Sequence, residues 1–296
     1  MTTPEDAAAV SLNKIAFSYP AGPPVLRDAD LTVPVGRRTA LLGANGSGKS
    51  TLLRCLSGAL RPTAGSVRVR GELLRHTPAG LRRHRRMAQL VLQDPDDQLF
   101  SASVAQDVSF GPLNLRLGPE EVRARVDGAL ELMSVSHLRD RPTHLLSFGE
   151  RKRIAICGAV AMRPEILALD EPTAGLDPVA VEETLAALER LHRAGTTVIL
   201  ATHDVDLALR WADDVAVMQA GGVRQGPAAE LLADCDLLAR ARLTPPWLLE
   251  VSGRLTDLGL LGAGCSPRTA RALLDALPVP DGPAPRRPPT RGETLP

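Results

Sequence analysis

An α/β fold around a parallel sheet is what the sequence predicts, on three observations. Short apolar runs recur along the chain, "TALLG", "AQLVLQ", "EILALD" and "TTVILAT", each followed by turn or helix signals, and strands alternating with helices imply a parallel sheet. One of these runs empties into a glycine loop and then a helix, in "TALLGANGSGKSTLLRCLSGAL". The third observation is bulk: 296 residues, 44% of them hydrophobic, can bury a core without disulfide or metal staples.

Taken in order, residues 1–10 ("MTTPEDAAAV") read as an N-terminal tail, with acids where a secretory signal needs positive charge. The α/β domain is expected over 11–227. It opens with a strand in "SLNKIAFSYP", where Leu12, Ile15, Phe17 and Tyr19 roughly alternate up to Pro20. The helix after the glycine loop closes between Gly58 and Pro62. From about 101 to 162 the pattern turns to helical period, with Pro119 opening one helix and Gly149 near the start of another. That stretch reads as an inserted helical subdomain. Residues 228–277 read as a small helical C-terminal extension, through "TPPWLLEVSGRL" and "SPRTARALLDAL". Over 278–296 proline and arginine dominate, which predicts a disordered tail. No apolar run approaches the ~18 residues of a spanning helix, so the chain is expected to be soluble and any membrane attachment to come through another protein.

With 35 basic against 34 acidic side chains the net charge is +1, which leaves no global field to draw the chain onto nucleic acid or an anionic membrane. The "RRHRR" run from Arg82 to Arg86 therefore reads as a solvated face. Cys55, Cys157, Cys235 and Cys265 lie far apart without CxxC spacing, so all four read as packing residues in a reducing cytosol. Basic residues are almost all arginine, and the lysines are Lys14, Lys49 and Lys152 alone. A lysine kept against that bias points to a chemical requirement for it.

"GANGSGKS", Gly43 to Ser50, fits the GxxxxGK[ST] phosphate loop, with a strand before it and a helix after. Its backbone N–H groups, through Gly43, Asn45, Gly46, Ser47 and Gly48 and on to Thr51, would wrap phosphate oxygens. The helix N-terminus adds positive dipole, Lys49 reaches the β- and γ-phosphates, and Ser50 ligates Mg²⁺. "ILALDEPTAGLDP" delivers Asp170 and Glu171 to the C-terminal edge of a strand, where α/β sheets bind ligands. Alone, such a pair is a solvated turn. Behind a phosphate loop, Asp170 can hold the Mg²⁺ water shell and Glu171 can polarise the attacking water. In "LLSFGERKR", Ser147 and the Gly149 backbone stand at a helix N-terminus that either caps the helix or binds a phosphate. "TTVILATHD" ends at His203, whose imidazole can hydrogen-bond a γ-phosphate.

On these residues the chain resembles the ATP-binding cassette (ABC) ATPases over roughly Leu12 to Gly226. The order matches throughout: aromatic Tyr19, the loop 43–50, Gln93 after its strand, "LSFGE", "LALDEP", "GLDP" with Asp177, and His203. The resemblance implies a P-loop nucleotide-binding domain in which Tyr19 stacks on adenine and Gln93 senses both Mg²⁺ and the attacking water. It also implies two cassettes facing head to tail, most simply a homodimer. Ser147 and Gly149 of one then close on the γ-phosphate held by the other, and Asp177 is implied among the ATP-binding residues. Phe148 and Glu150 depart from the usual Gly and Gln of the signature, and a carboxylate there would weaken closure if it met the partner's ATP.

"QDPDDQLF", Gln93 to Phe100, is similar to the cassettes of energy-coupling-factor importers, especially the cobalt and nickel type, and "LLSFGERKRIAICGAVAM" leans the same way. That likeness implies a transmembrane coupling subunit that inserts short arginine-bearing helices, a membrane substrate-binding subunit, and a place at the cytoplasmic face of the membrane. Asp94, Asp96 and Asp97 would then dock that partner, or else serve as turn and cap residues. The cassette of another transporter, a vitamin importer or an exporter among them, stays open. So does a soluble cassette factor acting on ribosomes or DNA, although such factors usually carry two cassettes or a long coiled-coil insertion.

Overall fold

The computed structural model describes residues 8–262 and 264–278, so residues 1–7 and, after Pro278, the tail expected over 278–296 lie outside the described residues. The chain divides into two units at Pro246 and Trp247. The first begins with β1 (Ala8–Ser18), β2 (Pro24–Pro34) and β3 (Arg38–Leu42). After the glycine loop come α1 (Lys49–Leu56), β4 (Ala64–Val69), β5 (Glu72–Leu73), α2 (Pro78–Met87) and β6 (Ala88–Val91). Three helices follow, α3 (Val104–Asn114), α4 (Pro119–Leu132) and α5 (Phe148–Val160). Alternation then resumes with β7 (Ile166–Asp170), α6 (Pro178–Arg193), β8 (Thr197–Thr202), α7 (Val205–Trp211), β9 (Asp214–Gln219) and β10 (Gly222–Pro227). Two short helices, α8 (Ala228–Leu231) and α9 (Cys235–Arg240), end the unit.

Six strands form one sheet in the order β10-β9-β3-β8-β7-β6. Five run parallel, and β10 pairs antiparallel with β9 at one edge. β7 and β8 are buried at every position, which is why they read as unbroken apolar runs. The register sets Leu42 beside Thr202 and Asp170 beside Ala201, so the strand ends align along one edge. Leu41, Leu52, Leu56, Ile166 and Ile199 belong to one core cluster with Leu12, Ile15 and Leu31 of the second sheet.

That second sheet is antiparallel, in the order β2-β1-β4-β5, and of its strands the sequence predicts only β1. A bulge explains the rest. Lys14 and Asp28 both carry left-handed backbone (φ 48° and 47°), and the β1–β2 register shifts around them. In β2 the buried positions run Leu26, then Ala29, Leu31 and Val33, so the alternation changes phase after Asp28 and no single period spans the strand. β1 itself starts at Ala8, inside the segment read as tail, and β6 stops at Val91, two residues before Gln93.

In α2, Arg82, Arg83, Arg85 and Arg86 are exposed while His84 is buried and donates from Nε2 to the Leu56 carbonyl (2.7 Å). "RRHRR" is a solvated face hung on one buried imidazole. The cysteines divide, which corrects the reading of all four as packing residues. Cys55 and Cys157 are buried, and burial pushes the Cys55 thiol up to about 12, whereas Cys235 and Cys265 are exposed. Within the second unit, α10 (Trp247–Asp257) and α11 (Ala270–Ala276) are described, the latter capped by the Thr269 hydroxyl, which accepts from Ala272 N–H (3.1 Å). Among the described residues no helix is long and apolar enough to cross a membrane.

Candidate active site

β3, β8, β7 and β6 are neighbours in the sheet and all end on one edge. Each hands its last residues to the same place: the glycine loop after β3, His203 after β8, Asp170 and Glu171 from β7, and Gln93 just beyond β6. Such an edge is where open α/β sheets hold ligands.

The loop needs its glycines. A Cβ on Gly43 would stand 2.5 Å from Ser47 Oγ, and Gly48, the residue that opens α1, has φ 105°. Asn45, Gly46 and Ser47 line a concavity of about 740 Å³ together with Arg27 and Met218. The Lys49 ammonium is buried and donates to the Gly43 carbonyl (2.7 Å) and the Ala44 carbonyl (3.4 Å), with Glu171 Oε1 at 3.5 Å. Thr51 is buried in the first turn of α1, its hydroxyl 3.3 Å from that of Tyr19. The Tyr19 ring, 40% exposed, stands edge-on to Phe17 at 5.0 Å, so an aromatic surface is fixed beside the loop.

Asp170 is buried, and its Oδ1 has no hydrogen-bond partner in the protein. Burial pushes its carboxyl up from the ordinary aspartate value, against the pull of a hydrogen bond from the Ser50 hydroxyl. An orphaned carboxylate oxygen beside a serine hydroxyl is a donor set suited to a hard divalent cation.

Glu171 adopts φ 47°, a left-handed backbone that costs about 1–2 kcal/mol in a non-glycine residue. Its surroundings hold it there. Its N–H donates to the Ala201 carbonyl (2.9 Å), and Thr202 Oγ1 donates to Oε2 (3.2 Å). His203 Nδ1 lies 3.0 Å from Oε1. A carboxylate can only accept, so the ring proton of that pair sits on Nδ1 and Nε2 is left for another partner.

Gln93 is exposed and lines a pocket of about 330 Å³ with Ser50, Asp97, Phe148 and Asp170. The three carboxylates after it divide the alternatives that the sequence left open. Asp94 Oδ1 accepts from Asp96 N–H (2.9 Å) and caps a short 3₁₀ turn, Pro95–Asp97. Asp96 pairs with Arg151 of α5 at 2.8 Å, within the chain. Asp97 faces the pocket. Gln98, which sequence reasoning passed over, joins the segment to α5. Its amide accepts from Leu92 N–H (3.1 Å) and donates to the Ala155 carbonyl (2.9 Å).

Ser147 caps α5 in a reciprocal box: its Oγ accepts from Glu150 N–H (3.3 Å), and Glu150 Oε2 accepts from Ser147 N–H (2.7 Å). The Ser147 backbone bond holds the Glu150 carboxyl below its ordinary value, and Arg141 stands 3.3 Å from the other oxygen. The Phe148 ring packs on Gly175, where a Cβ would come within 2.9 Å of it. Asp177 caps α6, accepting from Ala180 N–H (2.9 Å). Among the described residues no hydrogen bond or ion pair ties Ser147, Gly149 or Asp177 to the phosphate loop. The loop, Asp170, Glu171 and His203 thus converge within one chain, and Phe148 at the start of α5 borders the pocket that Ser50 and Asp170 line.

Residues 26–174 match the family described as ABC transporter. The cobalt import ATP-binding protein CbiO of Rhodobacter capsulatus is 51% identical over 239 residues, 80% of this chain and 85% of that one. The energy-coupling factor transporter ATP-binding protein EcfA of Methanothermobacter thermautotrophicus is 42% identical over 251 residues, 84% of this chain and 81% of that one. Among solved structures, cbiO1 of Clostridium perfringens, described as part of the ABC transporter complex cbiONQ, is similar with a TM-score of 0.71 at 40% identity, over 86% of this chain and 98% of that one.

Proposed function

The chain belongs to the ABC transporter ATPases, and on that premise we propose that it is the ATP-hydrolysing subunit of an energy-coupling-factor importer that takes up a divalent cobalt or nickel ion. The observation that carries the catalytic part is the Glu171 carboxylate, fixed 3.0 Å from His203 and 3.5 Å from Lys49 at the end of β7. Phosphoryl transfer to water asks for positioning and charge neutralisation more than for covalent chemistry. The phosphate loop with Lys49 and Thr51 binds the phosphates, Tyr19 stacks on the adenine, and Glu171 polarises the attacking water. His203 hydrogen-bonds the γ-phosphate through Nε2 when both ring nitrogens carry protons. Ser50, Asp170 and Gln93 would hold Mg²⁺, which supplies charge neutralisation at the β- and γ-phosphates.

Two copies pair head to tail, so that Ser147 and Gly149 of one reach the nucleotide of the other, and Asp177 serves among the ATP-binding residues. That no hydrogen bond or ion pair among the described residues ties Ser147, Gly149 or Asp177 to the phosphate loop supports this pairing. A transmembrane coupling subunit and a membrane substrate-binding subunit complete the assembly and keep the chain at the cytoplasmic face. The likeness to CbiO and EcfA supports the importer type and the metal cargo.

Glu171→Gln is expected to bind ATP within about threefold of the parent and to lose turnover by ~100-fold or more. Steady-state hydrolysis with nucleotide titration measures both, and retained turnover refutes the assignment. The cargo is tested by uptake of Co²⁺ and Ni²⁺ into vesicles carrying the chain with its membrane partners. Uptake of neither ion, with ATP hydrolysis intact, refutes the metal reading.

A further inference from the structure

Lys152 is one of three lysines in a chain whose other basic side chains are arginine, and it is 3% exposed. It lies in the first turns of α5, two residues after Glu150. Its ammonium leaves that helix to donate to the Glu171 carbonyl (2.5 Å) and the Ala174 carbonyl (2.7 Å). The Phe148 ring covers it, with the centroid 5.5 Å away. A buried ammonium persists where its protons find acceptors, and here two carbonyls and a ring face supply them. Burial pushes the amine down to about 8, while Glu171, Asp170 and Asp94 draw it back up.

The residue it grips is the strained one. A left-handed, non-glycine backbone survives only where its neighbours over-determine it. The carboxylate and N–H of Glu171 are held from the β8 side, and its carbonyl is held by Ala174 N–H (3.2 Å) and by Lys152. We infer that Lys152 is a positioning residue: through two backbone carbonyls it fixes the turn Glu171–Ala174 and thereby aims the Glu171 carboxylate. It does so from the helix whose first residues, Ser147 and Gly149, serve the partner's nucleotide. One side chain therefore ties the half-site this chain lends to the half-site it keeps. A planar guanidinium does not reproduce the approach of a compact ammonium to two carbonyls. The inference rests on Glu171 as the group that polarises water.

The test uses the full-length protein as parent, Lys152→Met, Lys152→Arg and Glu171→Gln, with ATP hydrolysis, nucleotide affinity and thermal melting measured on each. Lys152→Met keeps the length of the side chain without its charge or donors. It is expected to lower kcat at least tenfold with KM and nucleotide affinity within about threefold, and Lys152→Arg is expected to recover part of the rate. A Lys152→Met kcat within twofold of the parent overturns the inference. So does a joint collapse of melting temperature, affinity and rate, which would assign Lys152 to packing alone. If Glu171→Gln is inactive while Lys152→Met is not, only the clamp fails. Turnover in Glu171→Gln overturns the reading beneath it.

Discussion

Glu150 stands where the usual signature has glutamine, and its carboxylate is bound back onto Ser147 N–H at 2.7 Å and shared with Arg141. The acid thus strengthens the start of α5, where a negative charge meets the helix dipole. Its folded pKa lies below the ordinary glutamate value. The unfolded chain therefore takes up that proton more readily. The contribution is complete above the ordinary range and is lost as pH falls through the folded value. Gln can keep the reciprocal cap but not the charge, so Glu150→Gln should cost about 0.5–1 kcal/mol at pH 7. That gap should narrow as pH falls below the ordinary glutamate range and close below the folded value. Urea unfolding over a pH series downward from 7 measures it, and a gap that stays constant would show that charge plays no part. Motif residues such as Lys49, Asp170 and His203 are legible because their chemistry demands those side chains in that order. Lys152 shows in the sequence only as a retained lysine without its role, and Gln98 not at all, because they act on backbone carbonyls 19 and 57 residues away. A sequence displays a donor and hides the carbonyl it will find.

Between elements, the short turn after β6 and the start of α5 are joined by two side chains, Asp96 to Arg151 and Gln98 to the Ala155 carbonyl. Arg151 also donates to the Leu146 carbonyl (2.7 Å), one residue before Ser147. A partner that displaced Arg151 from Asp96 would act directly on the cap of α5. The pair is largely exposed on the Asp96 side, so its loss should cost under about 1 kcal/mol of stability. Asp96→Asn should accordingly fold as the parent does while assembling less with the membrane subunits. Melting curves with co-purification of the tagged complex test this, and unchanged assembly and transport would remove Asp96 from docking. Of the parallel strands, β3, β6, β7 and β8 could be read from the chain, β7 and β8 most plainly because burial on both faces leaves unbroken apolar runs, whereas β9 is not among them. β2 could not, because the bulge at Asp28 sends Leu26 and Ala29 to one face with two residues between them.

At the scale of the molecule, the two sheets meet where β2, an edge of one, lies near β10, an edge of the other. Gln225 of β10 bridges them: its amide accepts from Thr32 N–H (3.0 Å) and donates to the Thr32 carbonyl. A side-chain amide thus occupies both hydrogen-bonding groups that a further strand would seek. Unpaired edges are templates on which another copy can add itself and grow into fibres or precipitate. Gln225→Ala should therefore raise light scattering with protein concentration and time while leaving ATP hydrolysis per molecule unchanged. An unaltered scattering profile would mean that the neighbouring strands shield themselves. The bridge that joins the sheets thus also closes an edge on which a further copy could otherwise add itself.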